Sequence, residues 1–400
     1  MSYIPPHKRH TKDNNSPCKP ERLISPSENN NHRSFGYKNI SKDSGRIYRH
    51  AQAQGAVSTW FSVGLDDDDG QFTRLVRFEP ISLKSYEEQK RSNELPQILV
   101  LDDSWLLQPK GDYKISPVKR IVTLLEKDLI HSFGNVRMLM EECPELKPTL
   151  VARFGRNLFY GTSSISSTTS ITEAILKPVH KTFYTNLPPS YLKFVEDEAV
   201  DKIGLKLSTG KEIYQVKVLD RLHPDSEISC KCRIVKNLNK LEVYKMELKQ
   251  LRHFVADISC IGQKTDVRLM LYTKRVVSSL IVEEEKKKIE NMINSAVIDP
   301  EIKGGVRWPL GKQSDGDRYS IVGVWHDKSK TFRNSSMRVK IRQADRFDFG
   351  TSVGDCSGEV VLKMTELLSC FKDDKFGENV VAELLNDYMK VIWDNLVSSS

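Results

Sequence analysis

The most chemically suggestive residues of this chain are cations at a spacing of two. In Ser336-Met337-Arg338-Val339-Lys340-Ile341-Arg342, the apolar Met337, Val339 and Ile341 alternate with Arg338, Lys340 and Arg342. A strand would put the three cations on one face, roughly 7 Å apart. That repeat is close to the phosphate spacing of an extended single-stranded nucleic acid, so the face could track an RNA or another anion. The competing reading is a half-buried strand that shows its polar residues to water, with positive charges guarding an edge. Lys231, Arg233 and Arg268 also alternate with apolar neighbours, and turned inward with the basic strand they would line a phosphate-handling interior. Such an enzyme would need metal-binding carboxylates on facing strands, for which Asp257, Asp266 and Glu242 are available types that the sequence does not place.

Other motifs fail on spacing. Asp66-Asp67-Asp68-Asp69-Gly70 would put Leu65 and Val76 at the first and twelfth positions of a calcium loop, where an Asp and a bidentate Glu are required, so it reads as a solvated turn. Cys230 and Cys232 are two apart on one strand face; zinc knuckles need Cys-x-x-Cys in pairs, so these thiols read as core and no metal is expected. Gly305 to Lys312 has one residue too many for a phosphate-cradling loop, with Pro309 where an N–H is wanted and Gln313 where the metal-binding hydroxyl belongs. Asp348-Phe349-Gly350 lacks the catalytic loop and glycine-rich loop of a kinase. His223, His253 and His326 stand alone. No catalytic residue and no cofactor follow from these patterns.

The elements that would position the cations are legible from periodicity. Apolar residues at helical spacing from Val118 to Ile130 predict a helix after Pro117. Alternation predicts strands at 56–63, 71–78, 228–235, 266–272, 319–326 and 336–342, joined by short turns, which favours antiparallel pairing. A helix is predicted through Val276–Ile293, its Glu283–Glu285 able to pair with Lys286–Lys288. Two helices close the chain; the second carries Val380, Val381, Leu384, Leu385, Tyr388, Met389, Ile392, Trp393 and Leu396, a stripe suited to docking on the body's own sheet. The expected fold is α+β: a mainly antiparallel sheet, open or barrel-like, with flanking helices and a disordered basic N-terminal tail. The expected division is a tail over 1–55, a body over 56–297 and a smaller segment over 298–400.

Charge is distributed unevenly over the 400 residues. The formal charge is +8, and residues 1–50 hold ten Lys and Arg against four acids, leaving +2 for the rest. With few aliphatic residues, that segment cannot bury enough apolar surface to offset its ordering entropy. Lys8, Arg9 and Lys12 there are candidate nucleic-acid or anion contacts. No stretch approaches the roughly 18 apolar residues of a membrane helix, and seven scattered cysteines suit reduced thiols, so the expectation is a soluble cytoplasmic or nuclear protein without a membrane partner.

Tyr3-Ile4-Pro5-Pro6-His7-Lys8-Arg9 resembles a short motif in the tails of DEAD-box RNA helicases, part of a segment that binds the cap-binding translation initiation factor. Lys8 stands where that motif has Leu. The resemblance marks Tyr3, Ile4, Pro5, Pro6 and His7 as candidate partner-binding residues. Together with Arg153-Phe154-Gly155-Arg156-Asn157-Leu158-Phe159-Tyr160, Val255-Ala256-Asp257-Ile258-Ser259-Cys260, Asp266-Val267-Arg268-Leu269-Met270-Leu271 and Arg307-Trp308-Pro309-Leu310-Gly311-Lys312, the same opening is similar to a family of uncharacterised plant proteins. That resemblance implies one family-specific fold over nearly the whole chain and brings no assigned chemistry. Two function classes remain. One is a non-enzymatic binding or regulatory protein partnered by RNA, a ribonucleoprotein or an acidic protein; the alternative is a phosphate-handling enzyme with a charged β-barrel interior.

Overall fold

A computed structural model describes residues 51–63, 75–76, 78–79, 99–100, 117–160, 181–223, 227–235, 239–248, 250–260, 263, 265–275, 283–316, 318–371 and 378–397. They form the expected α+β architecture, a large, mostly antiparallel sheet with few helices. The candidate residues Tyr3, Ile4, Pro5, Pro6, His7, Lys8, Arg9 and Lys12, and the acidic turn at 66–70, lie outside the described residues. No described helix is long and apolar enough to cross a membrane.

The principal strands are β1 (Ala51–Val63), β2 (Leu146–Tyr160), β3 (Lys206–Asp220), β4 (Glu227–Val235), β5 (Lys240–Leu248), β6 (Leu251–Cys260), β7 (Asp266–Arg275), β8 (Tyr319–Arg333), β9 (Met337–Asp348) and β10 (Val353–Met364). Their order in the sheet is β1-β6-β7-β2-β10-β9-β8-β3-β4-β5. The runs β3-β4-β5 and β8-β9-β10 are the expected meanders. β1 departs from that pattern by pairing parallel with β6. It also starts at Ala51, inside the segment expected as tail, because Ala51 and Gln52 pair with Leu251 and Arg252, partners about 200 residues away in sequence. Strands from 319–364 sit between β2 and β3, so residues on both sides of position 298 build one sheet.

Period-two alternation gives the sheet an apolar convex face and a concave one whose charged residues surround a small apolar cluster of Val151, Val255, Met270 and Tyr272. Two cores cover the convex face. The first joins Phe254, Ala256, Leu269, Leu271, Leu150, Phe154, Leu362, Val339 and Ile341 to helices α1 (Pro117–Glu142) and α3 (Glu378–Ile392). α1 outruns the expected Ile130 because Phe133 and Val136 continue its buried stripe; it stops just before Pro144, which disfavours helical geometry in the residue ahead of it. The α3 stripe docks on the chain's own sheet, with Val381, Leu385, Tyr388, Met389 and Ile392 in the core and the Tyr388 hydroxyl donating to the Ser336 carbonyl at 2.5 Å. The second core packs Val216, Val218, Ile228, Cys230, Cys232 and Val324 under helix α2 (Glu283–Asn294) through Ile289, Met292 and Ile293. Cys230 and Cys232 are thus core residues, as their spacing indicates. At Gly155 a Cβ would stand 2.2 Å from the Tyr184 carbonyl oxygen, so glycine is what lets the strand Lys181–Tyr184 pair with β2 there.

The sheet curls until β5 faces β7, yet the barrel does not close, since the described residues of these two strands share no ladder. A side-chain contact bridges the gap: Lys274 Nζ of β7 lies 3.8 Å from the Glu247 carboxylate of β5.

Candidate functional site

The concave face holds a cavity of about 810 Å³. Its walls carry Lys147, Arg153, Lys231, Lys245, Lys274, Arg338, Lys340, Arg342 and Lys363, nine cations, against the two carboxylates Glu247 and Glu359. The placement follows from register. Lys340 of β9 pairs with Val361 of β10, Val361 with Arg153 of β2, and Arg153 with Arg268 of β7, so these residues form a row across four strands. β4 contributes Lys231 and β5 contributes Lys245 and Glu247 from the opposite wall.

The two acids are fully engaged. Glu247 accepts from Lys245 at 2.6 Å and Lys231 at 2.9 Å. Burial alone would raise its pKa, but the Lys274, Lys245 and Lys231 charges overcome this and hold it at about 2. Glu359 accepts from Arg342 and Arg346, and Arg342 also donates to Asp327 at 3.1 Å. Burial opposes the charge of Glu359 as well, and Arg342, Arg346 and Arg153 keep it ionised well below the usual carboxylate range. Trp325 lies beside this group, with Arg346 4.7 Å and Lys217 5.0 Å from its ring centroid.

Several cations are left over. Lys340 has no hydrogen-bond or ion-pair partner among the described residues; burial, followed by repulsion from Arg342, lowers its pKa from 10.5 to about 8. Arg153 is likewise unpartnered, its Nε buried without an acceptor and its pKa lowered by burial. Burial also lowers Lys231 and Lys274, with Glu247 opposing. An uncompensated buried cation costs several kcal/mol. A cavity holding several of them stores free energy that an entering anion recovers.

Residues 42–396 match the family described as "Domain of unknown function (DUF7903)". The chain belongs to this family. No curated protein matches the chain in sequence. Among solved structures, the Pct1 RNA triphosphatase of S. pombe is similar at 12% identity and a TM-score of 0.44, covering 76% of this chain and 96% of that one. The same enzyme in complex with the Spt5 CTD gives 10% identity and a TM-score of 0.45, covering 75% and 99%. A putative adenylate cyclase of Bacillus halodurans gives 9% identity and a TM-score of 0.24, covering 54% and 90%.

Of the basic residues singled out in sequence, the fold of this DUF7903 chain brings Lys231, Arg338, Lys340 and Arg342 to one cavity and leaves outside its lining Arg233, exposed and paired with Glu242 at 2.8 Å, and Arg268, paired with Asp257. The basic strand is therefore the wall of a cavity rather than an open track, because the sheet curls about it. Arg338 is exposed, Lys340 half-buried and Arg342 tied into the acid network. The acids suggested for a metal lie apart: Glu242 binds Arg233, Asp257 binds Arg268 through both oxygens at 2.6 and 2.8 Å, and Asp266 accepts from the Cys260 and Asn157 backbone N–H groups. Among the described residues, no three His, Cys, Asp or Glu side chains group to hold a metal. His326 meets Glu212 at 2.7 Å away from the cavity lining, and Asp348 caps a turn by accepting from the Gly350 N–H. Sequence reading passed over Arg153, Glu247, Lys274 and Glu359. A signal existed for two of them, since Arg153 in Leu150-Val151-Ala152-Arg153-Phe154 and Glu359 in Gly358-Glu359-Val360-Val361-Leu362 are lone charges in apolar strands.

Proposed function

We propose that this protein binds a phosphorylated ligand, with its phosphate groups held in the concave cavity by Arg153, Lys231, Lys274, Lys340 and Arg342. The observation that carries the reading is the unpaired charge of Lys340 and Arg153 in a cavity where, among the described residues, the two lining acids are already committed to other cations. Guanidinium groups offer forked donors that match phosphate oxygens, and lysines add point charge. The volume is that of a small-molecule site rather than of an RNA groove, so an RNA partner would be engaged through a terminal phosphate inserted into the cavity. The reading is of binding: the arrangement supplies anion-holding groups, and its acids serve to anchor cations.

The test is calorimetric titration with pyrophosphate and ATP at two salt concentrations, for wild type and Lys340→Gln. Saturable, salt-sensitive binding that weakens about tenfold or more in the variant is expected, a loss equivalent to about 1.4 kcal/mol. Absence of saturable binding in the folded wild type, or equal affinity in a folded Lys340→Gln, overturns the proposal. Release of orthophosphate during the titration would replace binding by phosphoryl hydrolysis as the function.

A further inference from the structure

A second group of cations borders the cavity on the side toward β6. Arg153 and Arg268 are direct cross-strand partners, an arrangement of like charges that is unfavourable in an antiparallel pair unless a counterion answers it. Arg252 joins them from β6, only 8% exposed, with its Nε buried and without an acceptor. Its cross-strand partner is Tyr272, which lines the cavity, so Arg252 sits on the same sheet face one strand beyond the lining.

Among the described residues, the nearby acids answer Arg268 and leave Arg153 and Arg252 without an ion-pair partner. Asp257 gives both oxygens to Arg268, and Glu359, which attracts Arg153, is held by Arg342 and Arg346. Arg252 feels the repulsion of Arg268 and Arg153 before the attraction of Asp257. Two buried guanidinium Nε–H groups, on Arg153 and Arg252, are donors with no acceptor among the described residues. Each such group costs about 1–3 kcal/mol, more when charged, which an entering anion would recover.

We infer that Arg252, with Arg268 beside it and Arg153 shared with the phosphate site, forms a second anionic subsite, so that the ligand of this cavity carries two anionic groups. The inference rests on the phosphate reading above. It adds the spacing: Lys340 and Arg153 are two strands apart and Lys340 and Arg268 three, roughly 10 to 14 Å along the sheet at about 4.8 Å per strand. The class of ligand is thus a bisphosphate or a phosphorylated acid whose charged ends stand that far apart, held at both ends.

Two probes with one linker test this, hexyl phosphate and hexane-1,6-diol bisphosphate, titrated into the full chain by calorimetry with thermal melts of every variant. Linking two occupied subsites should make the bisphosphate about 100-fold tighter than the monophosphate in wild type. In Arg252→Gln that ratio should fall to a few-fold, and Arg252→Lys, which keeps the charge and loses the fork, should recover part of it. A wild-type ratio of only a few-fold, or an undiminished ratio in a folded Arg252→Gln, overturns the second subsite. Should Arg252→Gln fail to fold, a wild-type ratio retained by Arg252→Lys at every salt concentration overturns the forked contact on which the subsite depends. Failure of wild type to bind pyrophosphate in the preceding experiment would instead overturn the phosphate reading itself.

Discussion

Replacing Lys340 by Met should stabilise the protein while impairing its ligand binding. The Lys340 ammonium is half-buried without a partner, and its pKa is lowered from 10.5 to about 8 by burial first and by Arg342 next. At about 1.4 kcal/mol per pH unit, the displacement is a folding cost of about 3 kcal/mol at neutral pH. Met keeps the apolar stem and discards the charge, so unfolding free energy should rise by about 1–3 kcal/mol. The sign with pH follows from the depressed value. Between about pH 8 and 10.5 the unfolded chain binds the proton and the folded chain does not, so the Lys340 contribution makes wild-type stability rise through that window, and below it the full cost is present. Urea unfolding at pH 7, 8, 9 and 10 measures both effects: wild type should close the gap on Lys340→Met as pH rises, and pyrophosphate affinity of the variant should be at least tenfold weaker at pH 7. A variant destabilised by 1 kcal/mol or more at pH 7, with a difference from wild type that does not change between pH 8 and 10, would refute the reasoning.

Two further outcomes follow from the same structure. Glu247 is held at about 2 against an ordinary 4.5, so its contribution of about 3 kcal/mol is complete above pH 4.5 and is lost as pH falls toward 2; Glu247→Gln should lower the melting temperature at pH 7 and flatten its decline between pH 5 and 2, read by calorimetry. Burial raises the Cys230 thiol to about 12 and raises Cys232 well above its ordinary value, whereas Cys356 is exposed; mass-resolved alkylation at pH 8 should label Cys356 long before either, and Cys230→Ala should cost about 1 kcal/mol through lost packing with metal content the same as wild type.

What this sequence determined by itself is local. Alternation in Ile228-Ser229-Cys230-Lys231-Cys232 assigns the thiols to one face and Lys231 to the other whatever the strand pairs with, because successive side chains of a strand must point to opposite sides. The same rule separated Arg338, Lys340 and Arg342 from Met337, Val339 and Ile341, and the apolar stripe of α3 specified a docked helix in the same way. Tertiary structure decided everything that depends on which strands become neighbours. Arg153, Arg268 and Lys340 are scattered over nearly 190 residues, and only the register of β2 against β7 and β10 sets them in one row. Whether that row faced water or a cavity was likewise undetermined, since a solvated face and a cavity wall have the same alternation; the curl that carries Glu247 to Lys274 settles it. A lone charge such as Glu359 looks the same in sequence whether paired or not, and its fixed partners Arg342 and Arg346 come from another strand, brought there by pairing that no local pattern encodes.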